Sequence, residues 1–330
     1  MNLIKVIANE LSVKEIQVSE TVKLLDEGAT IPFIARYRKE RTGGLDEEVL
    51  RSVEERINYL KLLQERKETV IKSIEEQGKL TPELKTKIDE SLKLQDIEDL
   101  YLPFKPKRKT RGTIAKAMGL EPLALYILDN PFYTGNIEDE ALKYISEEKG
   151  VGSAEVALKG AQDIIAEILN ESAEIRKNLR EMLLEESVIV SEKVGDKKEE
   201  SREETEHRKK DVYEIYHKFS IEIKKIKPYQ YLAINRGERE KFLKATLSFN
   251  KQKAYDIIYD TYIRERNSVF FQMLMAVAED SFNRLVFPSL EREIRNHLTE
   301  WADNHAIEIF ASNLKQLLLQ PPISCSHIIG

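Results

Sequence analysis

The sequence predicts an all-α fold: a helical bundle with a helix-turn-helix-like start, a long helical hairpin and a second helical central region. Three observations carry this. Apolar residues recur at three- and four-residue spacing along most of the 330 residues, while the 13 glycines and 10 prolines mostly fall between those segments. A content of 41% apolar and 33% charged side chains then suits helices with one buried and one solvated face.

The elements follow in order. Leu3, Ile4, Val6 and Ile7 mark an opening helix, and Val22, Leu24 and Leu25 within Ser19 to Glu27 pack a second helix on it before Gly28. Ile31 to Glu40 is a third, with Pro32 tolerated in its first turn; Phe33, Ile34 and Tyr37 are expected in the core, because so short a helix must bury something. Gly43 and Gly44 break it. A long helix then runs from Asp46 to Gln77 with Val49, Val53, Ile57, Leu60, Val70, Ile71 and Ile74 on its apolar stripe. Gly78 stops it, Thr81 and Pro82 supply an N-cap and a first-turn proline, and Glu83 to Leu94 returns as the second arm of a hairpin.

Pro103, Pro106 and Gly112 keep Leu100 to Gly112 from forming one helix, so the basic residues there are expected on an exposed loop. Ile114 to Leu128, Ile137 to Glu148, Ser153 to Leu169 and Ala173 to Glu186 read as helices. Ser187 to Asp211 has no sustained apolar period and reads as an exposed connection or extended helix; the boundary between two domains, 1–190 and 191–320, is placed there. Leu232 to Ile234 and Leu243 to Leu247 suit short strands. Asp256 to Arg266, Val269 to Val286 and Leu290 to Leu319 are helical again, ending at Pro321 and Pro322.

Charge is distributed unevenly. The net charge is −6, yet residues 1–122 carry +1 and the remainder −7, and Tyr101 to Lys116 holds six basic residues and no acid. Two clusters pair cations with aromatics: Arg36, Arg38, Lys39 and Arg41 around Tyr37, and Lys105, Lys107, Arg108, Lys109 and Arg111 beside Phe104. Such clusters suit sequence-independent contact with RNA or DNA phosphates, with an aromatic ring to stack on a base. Charge runs on helical proteins are ordinarily solvated faces, and Arg36 is equally placed to pair with an acid inside the fold. Lys105 to Arg111 is the stronger candidate, because crowded like charges repel and a bound polyanion relieves that repulsion.

Other chemistries find little footing. A lone Cys325 cannot form an internal disulfide, His297 and His305 are too far apart to act together, and no metal-ligand or cofactor motif is visible. Thr42, Gly43 and Gly44 lack the Gly-Lys-Ser/Thr ending of a phosphate loop, and no nucleophile is spaced with a base. The expectation is a non-enzymatic protein. With no apolar run of membrane-spanning length and no secretion signal at the amino terminus, a cytoplasmic location is expected.

GATIPFIARYRKERTGGLDEE at Gly28 to Glu48 closely resembles the Tex family of bacterial transcription accessory proteins. The resemblance continues through EDLYLPFKPKRKTR at Glu98 to Arg111, GLEPLA at Gly119 to Ala124, LAINRGE at Leu232 to Glu238, and PSLEREIRNHLTEWAD with LKQLLLQPP between Pro288 and Pro322. It implies the amino-terminal helical part of such a protein. In that family an RNase H-like module of YqgF type, helix-hairpin-helix repeats and a nucleic-acid-binding OB-fold follow, and residues 321–330 are expected to be the start of the RNase H-like module. One departure is Pro228 to Tyr231, where the family tends to be basic; Asn235, Arg236, Gly237 and Glu238 match and are expected to form a structural turn first and a contact second. The implied function is nucleic-acid binding in transcription or RNA metabolism. The alternative is a scaffold docking on RNA polymerase, the ribosome or the rest of a Tex chain.

Overall fold

The computed structural model describes residues 2–106, 109–194, 212–263, 265 and 267–320. The chain divides into two compact units, Met1–Lys107 and Arg108–Gly330.

The first unit opens with short helices α1 (Leu3–Leu11), α2 (Glu15–Asp26), α3 (Ile31–Tyr37) and α4 (Lys39–Thr42). Asp46 then caps the 30-residue α5 (Glu47–Glu76), accepting a hydrogen bond from the Val49 amide at 2.9 Å. The expected stripe on α5 is present, with Val53, Ile57, Leu60, Val70 and Ile74 buried and Leu50 and Leu63 added. Thr81 caps α6 (Pro82–Glu90) as expected, accepting from Leu84 N at 3.2 Å. The return arm is broken, however. Ser91 turns extended after α6, and α7 (Leu94–Tyr101) completes the packing on α5 with buried Ile97 and Tyr101.

One charge lies within that apolar packing. Lys67 is only 1% exposed on the buried face of α5, and its Nζ donates to the Asp89 carbonyl, in the last turn of α6, at 2.6 Å. Burial pushes its pKa down from the usual lysine value. Between that lowered value and the ordinary 10.5 the unfolded chain holds a proton that the folded chain releases, so stability rises with pH through this window. Lys67→Met is expected to abolish that rise; thermal melts of both proteins from pH 7 to pH 10 check it.

The second unit contains α8 (Arg111–Ala117), α9 (Glu121–Asp129), α10 (Ile137–Leu142), α11 (Ala154–Glu171) and α12 (Ala173–Glu186), then a small sheet interleaved with α13 (Pro228–Arg239), and finally α14 (Lys251–Tyr262), α15 (Phe271–Ser281) and α16 (Phe287–Leu318). The expected helix Ile114 to Leu128 is split at Gly119, whose φ of 81° ends α8. Ile137 to Glu148 contracts to α10. A π-turn at Phe282–Val286 joins α15 to α16.

The protein is mostly helical, as its periodicity predicts, with one three-stranded antiparallel sheet among the described residues. β1 (Val188–Lys193) lies between β2 (Lys218–Glu222) and β3 (Leu243–Ser248), with Ile189 opposite both Ile221 and Leu247. The strand at Leu243 is as expected. Leu232 to Ile234, expected extended, lie instead within α13. The domain boundary near residue 190 is corrected too: one hydrophobic core runs from Ala115 to Ala302, and β1 is its central strand. Residues 195–211 of the expected connection and the expected stub at 321–330 lie outside the described residues.

α16 has two halves. Leu290, Ile294, Leu298 and Ala302 recur every four residues and are buried, whereas 303–320 are exposed throughout, Ile307, Phe310, Leu314 and Leu317 included.

Candidate nucleic-acid interface

Arg36, Arg38, Lys39 and Arg41 share one exposed corner of the first unit. α3 has barely two turns, so Ile31 and Ile34 fill its inward face and are buried. Phe33 and Tyr37, four residues apart, then share the opposite face and are 40% and 66% exposed, which corrects their expected place in the core. Their rings pair at 5.4 Å, and the Arg38 guanidinium lies over Phe33 at 5.1 Å. At Arg38 the backbone leaves the helix, with φ −128° and ψ 22°, and α4 starts in a new direction.

The corner is held from α2. Gln17 Nε2 donates to the carbonyls of Thr42 and Gly43 at 3.1 Å each, and Gly43 adopts a φ of 63° at the end of α4. Glu20 accepts from Lys23 at 2.7 Å and from Arg41 Nη2 at 2.9 Å, and these two cations hold its carboxyl below the usual range. Arg41 is therefore a fastener. Arg36 and Lys39 have no ion pair among the described residues, and Arg38 only donates to its neighbour's carbonyl at 3.3 Å. With Tyr37, Glu40 and Arg41 they line an open cavity of about 450 Å³.

The second run is divided between the two units. Lys105, at the end of the first, is exposed and 3.9 Å from Glu98, which Arg66 already holds at 2.6 Å. Lys107 and Arg108 lie outside the described residues. Lys109 is exposed, and Arg111 opens α8 in the second unit, where its positive charge helps keep the Asp280 carboxyl below the usual range, after the hydrogen bonds from Arg284. The start of α8 already carries an anion. Buried Glu167 of α11 accepts from the Thr110 hydroxyl and from the Gly112 amide at 3.2 Å. A Cβ at Gly112 would sit 2.7 Å from both Glu167 carboxylate oxygens, so Gly112→Ala is expected to cost about 1–3 kcal/mol in a denaturant melt.

Residues 1–75 match the family model of the Tex-like protein N-terminal domain, and residues 134–310, more than half of the chain, match that of the Tex central region-like family. The chain belongs to the Tex family. Its relatives include YdcI of Bacillus subtilis, 43% identical over 98% of this chain and 44% of the relative. The transcriptional accessory protein Tex of Neisseria gonorrhoeae is 39% identical over 100% of this chain and 42% of its own length. Human S1 RNA-binding domain-containing protein 1 is 27% identical, matched over 100% of this chain and 33% of its own length. The chain thus spans less than half the length of these relatives.

The Tex-like segment Leu232 to Glu238 has a structural task. It lies in α13 rather than in a turn, and Asn235 donates to Thr299 of α16 at 3.0 Å. Gly237 lets α13 approach β3, since a Cβ there would fall 2.8 Å from Leu243 Cγ. Glu238 accepts from Ala245 N at 2.8 Å and from Arg295 at 2.9 Å, while Arg295 donates to Ala245 O at 2.6 Å. Both backbone polar groups of Ala245 on edge strand β3 are thereby closed by side chains.

Phe33 and Tyr37 are the candidate contact residues that sequence reasoning placed wrongly. Their signal is the pairing of Ile31 with Ile34, which fills the only inward face so short a helix has. No helix among the described residues is long and apolar enough to cross a membrane, and no group of three or more His, Cys, Asp or Glu among them could hold a metal ion.

Proposed function

We propose that this Tex-family chain is a non-enzymatic, cytoplasmic nucleic-acid-binding part of a transcription accessory factor, contacting RNA or DNA phosphates independently of sequence. The observation that carries the reading is the corner of α3 and α4, where Arg36, Arg38 and Lys39 stand exposed beside two exposed aromatic rings. Cations without acidic partners exchange condensed counterions of a polyanion most fully, and a ring in water gains by stacking on a base. The names of the relatives support it: one is a transcriptional accessory protein, another an S1 RNA-binding domain-containing protein. Lys105, Lys107, Arg108, Lys109 and Arg111 supply weaker additional contacts on this reading, because Glu98 offsets part of the charge of Lys105 and Asp280 part of that of Arg111.

Titrating labelled single- and double-stranded RNA and DNA at salt concentrations from about 0.05 to 0.2 M tests the proposal, since counterion release makes affinity fall steeply with salt. A flat response would overturn it. The second reading, a scaffold for RNA polymerase, the ribosome or the rest of a Tex chain, is favoured by the net charge of −7 beyond residue 122, which suits basic protein surfaces better than phosphates.

A further inference from the structure

The second unit holds a cleft of about 570 Å³ between α12 and α16, a volume within the range of ordinary ligand sites. Leu184, Ile223, Ile226 and Leu298 supply its apolar lining. Trp301, on α16 one turn beyond His297, adds an aromatic face that is 40% exposed. Opposite, α12 presents Glu181 and Glu185, four residues apart on one helix face and both exposed. Glu185 is engaged by Lys224 at 3.4 Å, whereas Glu181 has no ion pair among the described residues.

An apolar bed, a tryptophan face and a carboxylate without a cation are the three complements of one side chain. Arginine carries an aliphatic stem for the bed, a flat guanidinium that stacks on indole, and a charge for the carboxylate. Lysine meets the charge but lacks the flat guanidinium face that lies against indole and the fork that matches a carboxylate, and an anionic ligand meets repulsion from Glu181, unpaired among the described residues. We propose that this cleft is a docking site for an arginine side chain, flanked by an apolar residue, on a segment of a partner protein. The guanidinium stacks on Trp301 and pairs with Glu181, and the neighbouring apolar residue rests against Leu184 and Ile226. Lys224 competes for the same acidic rim. The site is independent of the basic corner on α3 and α4, so the two stand or fall separately.

Trp301 is the only tryptophan of the chain, so its fluorescence reports occupancy without a label. The full chain is titrated with acetyl-Leu-Arg-Leu-amide and with analogues carrying norleucine or glutamate in place of arginine. The arginine peptide is expected to give a saturable change, with a Kd on the order of 1 mM for so small a probe. Glu181→Gln should weaken it about three- to tenfold and Lys224→Ala should tighten it, both being exposed charges whose replacement leaves the fold intact. No saturable change up to about ten times that Kd would overturn the proposal. An equal response to the norleucine peptide would overturn it too, by reducing the site to a non-specific apolar cleft.

Discussion

Alanine at Arg36, Arg38 and Lys39 together is expected to remove most nucleic-acid affinity from the first unit while leaving its melting temperature nearly unchanged. Each phosphate neutralised contributes about 0.9 to the slope of log affinity against log salt on duplex DNA, and about 0.7 on single strands. Three lost contacts lower the slope by about 2.7 or 2.1; between about 0.05 and 0.2 M salt, a slope of 2.7 is a roughly 40-fold change in affinity. Stability is spared because all three side chains are exposed and none is paired with an acid among the described residues, and such surface changes stay within about 0.5 kcal/mol. Arg41→Ala is the matched control. It leaves Glu20 to Lys23 alone and loosens the joint between α2 and α4, but removes a cation that two acids, Glu20 and Glu27, already engage. Anisotropy titrations at several salt concentrations, with thermal melts in parallel, separate the two outcomes. If the triple variant keeps its salt slope, the corner is not a phosphate contact.

Glu238→Ala is expected to damage the fold of the second unit heavily for a polar substitution. The carboxylate joins three elements: it lies on α13, accepts from β3 at Ala245 N, and holds Arg295 of α16. Its loss deprives a mostly buried guanidinium of one anion, leaving Glu291 at 3.2 Å, and strands the Ala245 amide at the sheet edge. A fully buried pair broken in this way costs about 3–5 kcal/mol; with roughly a quarter of each side chain exposed, about 2–4 kcal/mol is expected. For a unit of this size that lowers Tm by roughly 5–12 °C. Glu238→Gln keeps an acceptor for Ala245 and should lose about half as much. Differential scanning calorimetry of the three proteins tests the order; equal melting temperatures would mean that the clamp holds nothing.

Elements whose ends are marked by local chemistry were legible in the sequence. Asp46 and Thr81 cap α5 and α6 where their side chains allow, and Ala173–Glu186 begins and ends at the expected residues, because caps act within one turn of the chain. β1 was hidden. Its partners lie about 30 and 55 residues away in sequence, and the alternation of Ile189 with Ser191 is too short to stand out beside the acidic run that follows. That run also misled the domain boundary, since a change in composition marked a connection between two strands of one sheet. Lys67 was invisible for the opposite reason: periodicity gives the position of a buried face but not the charge that a facing helix terminus can accept there.

In the candidate site the cations were legible as residue types, and what each does was not. Arg41 differs from Arg36 in having Glu20 and Glu27 within reach, contacts between residues 21 and 14 apart in sequence. Tyr37 and Phe33 face water because two isoleucines fill the only inward side of a seven-residue helix. Arg111 lies near Asp280 of α15, and its chain neighbours Thr110 and Gly112 both donate to Glu167 of α11.

The outer half of α16 gives the second unit reach. Past Ala302, the last buried position of α16, the 16 residues 303–318 continue for about 24 Å at 1.5 Å per residue as exposed helix. Such a rod behaves as a lever whose bearing is the packing of Leu290, Ile294, Leu298 and Ala302. A tilt of about 5° at that bearing carries the tip through roughly 2 Å, so adjustments too small to disturb the core are magnified where Phe310, Leu314 and Leu317 stand. Trp301 and His297, which line the cleft, stand beside that bearing, so the cleft and the base of the rod are built from the same two turns of α16.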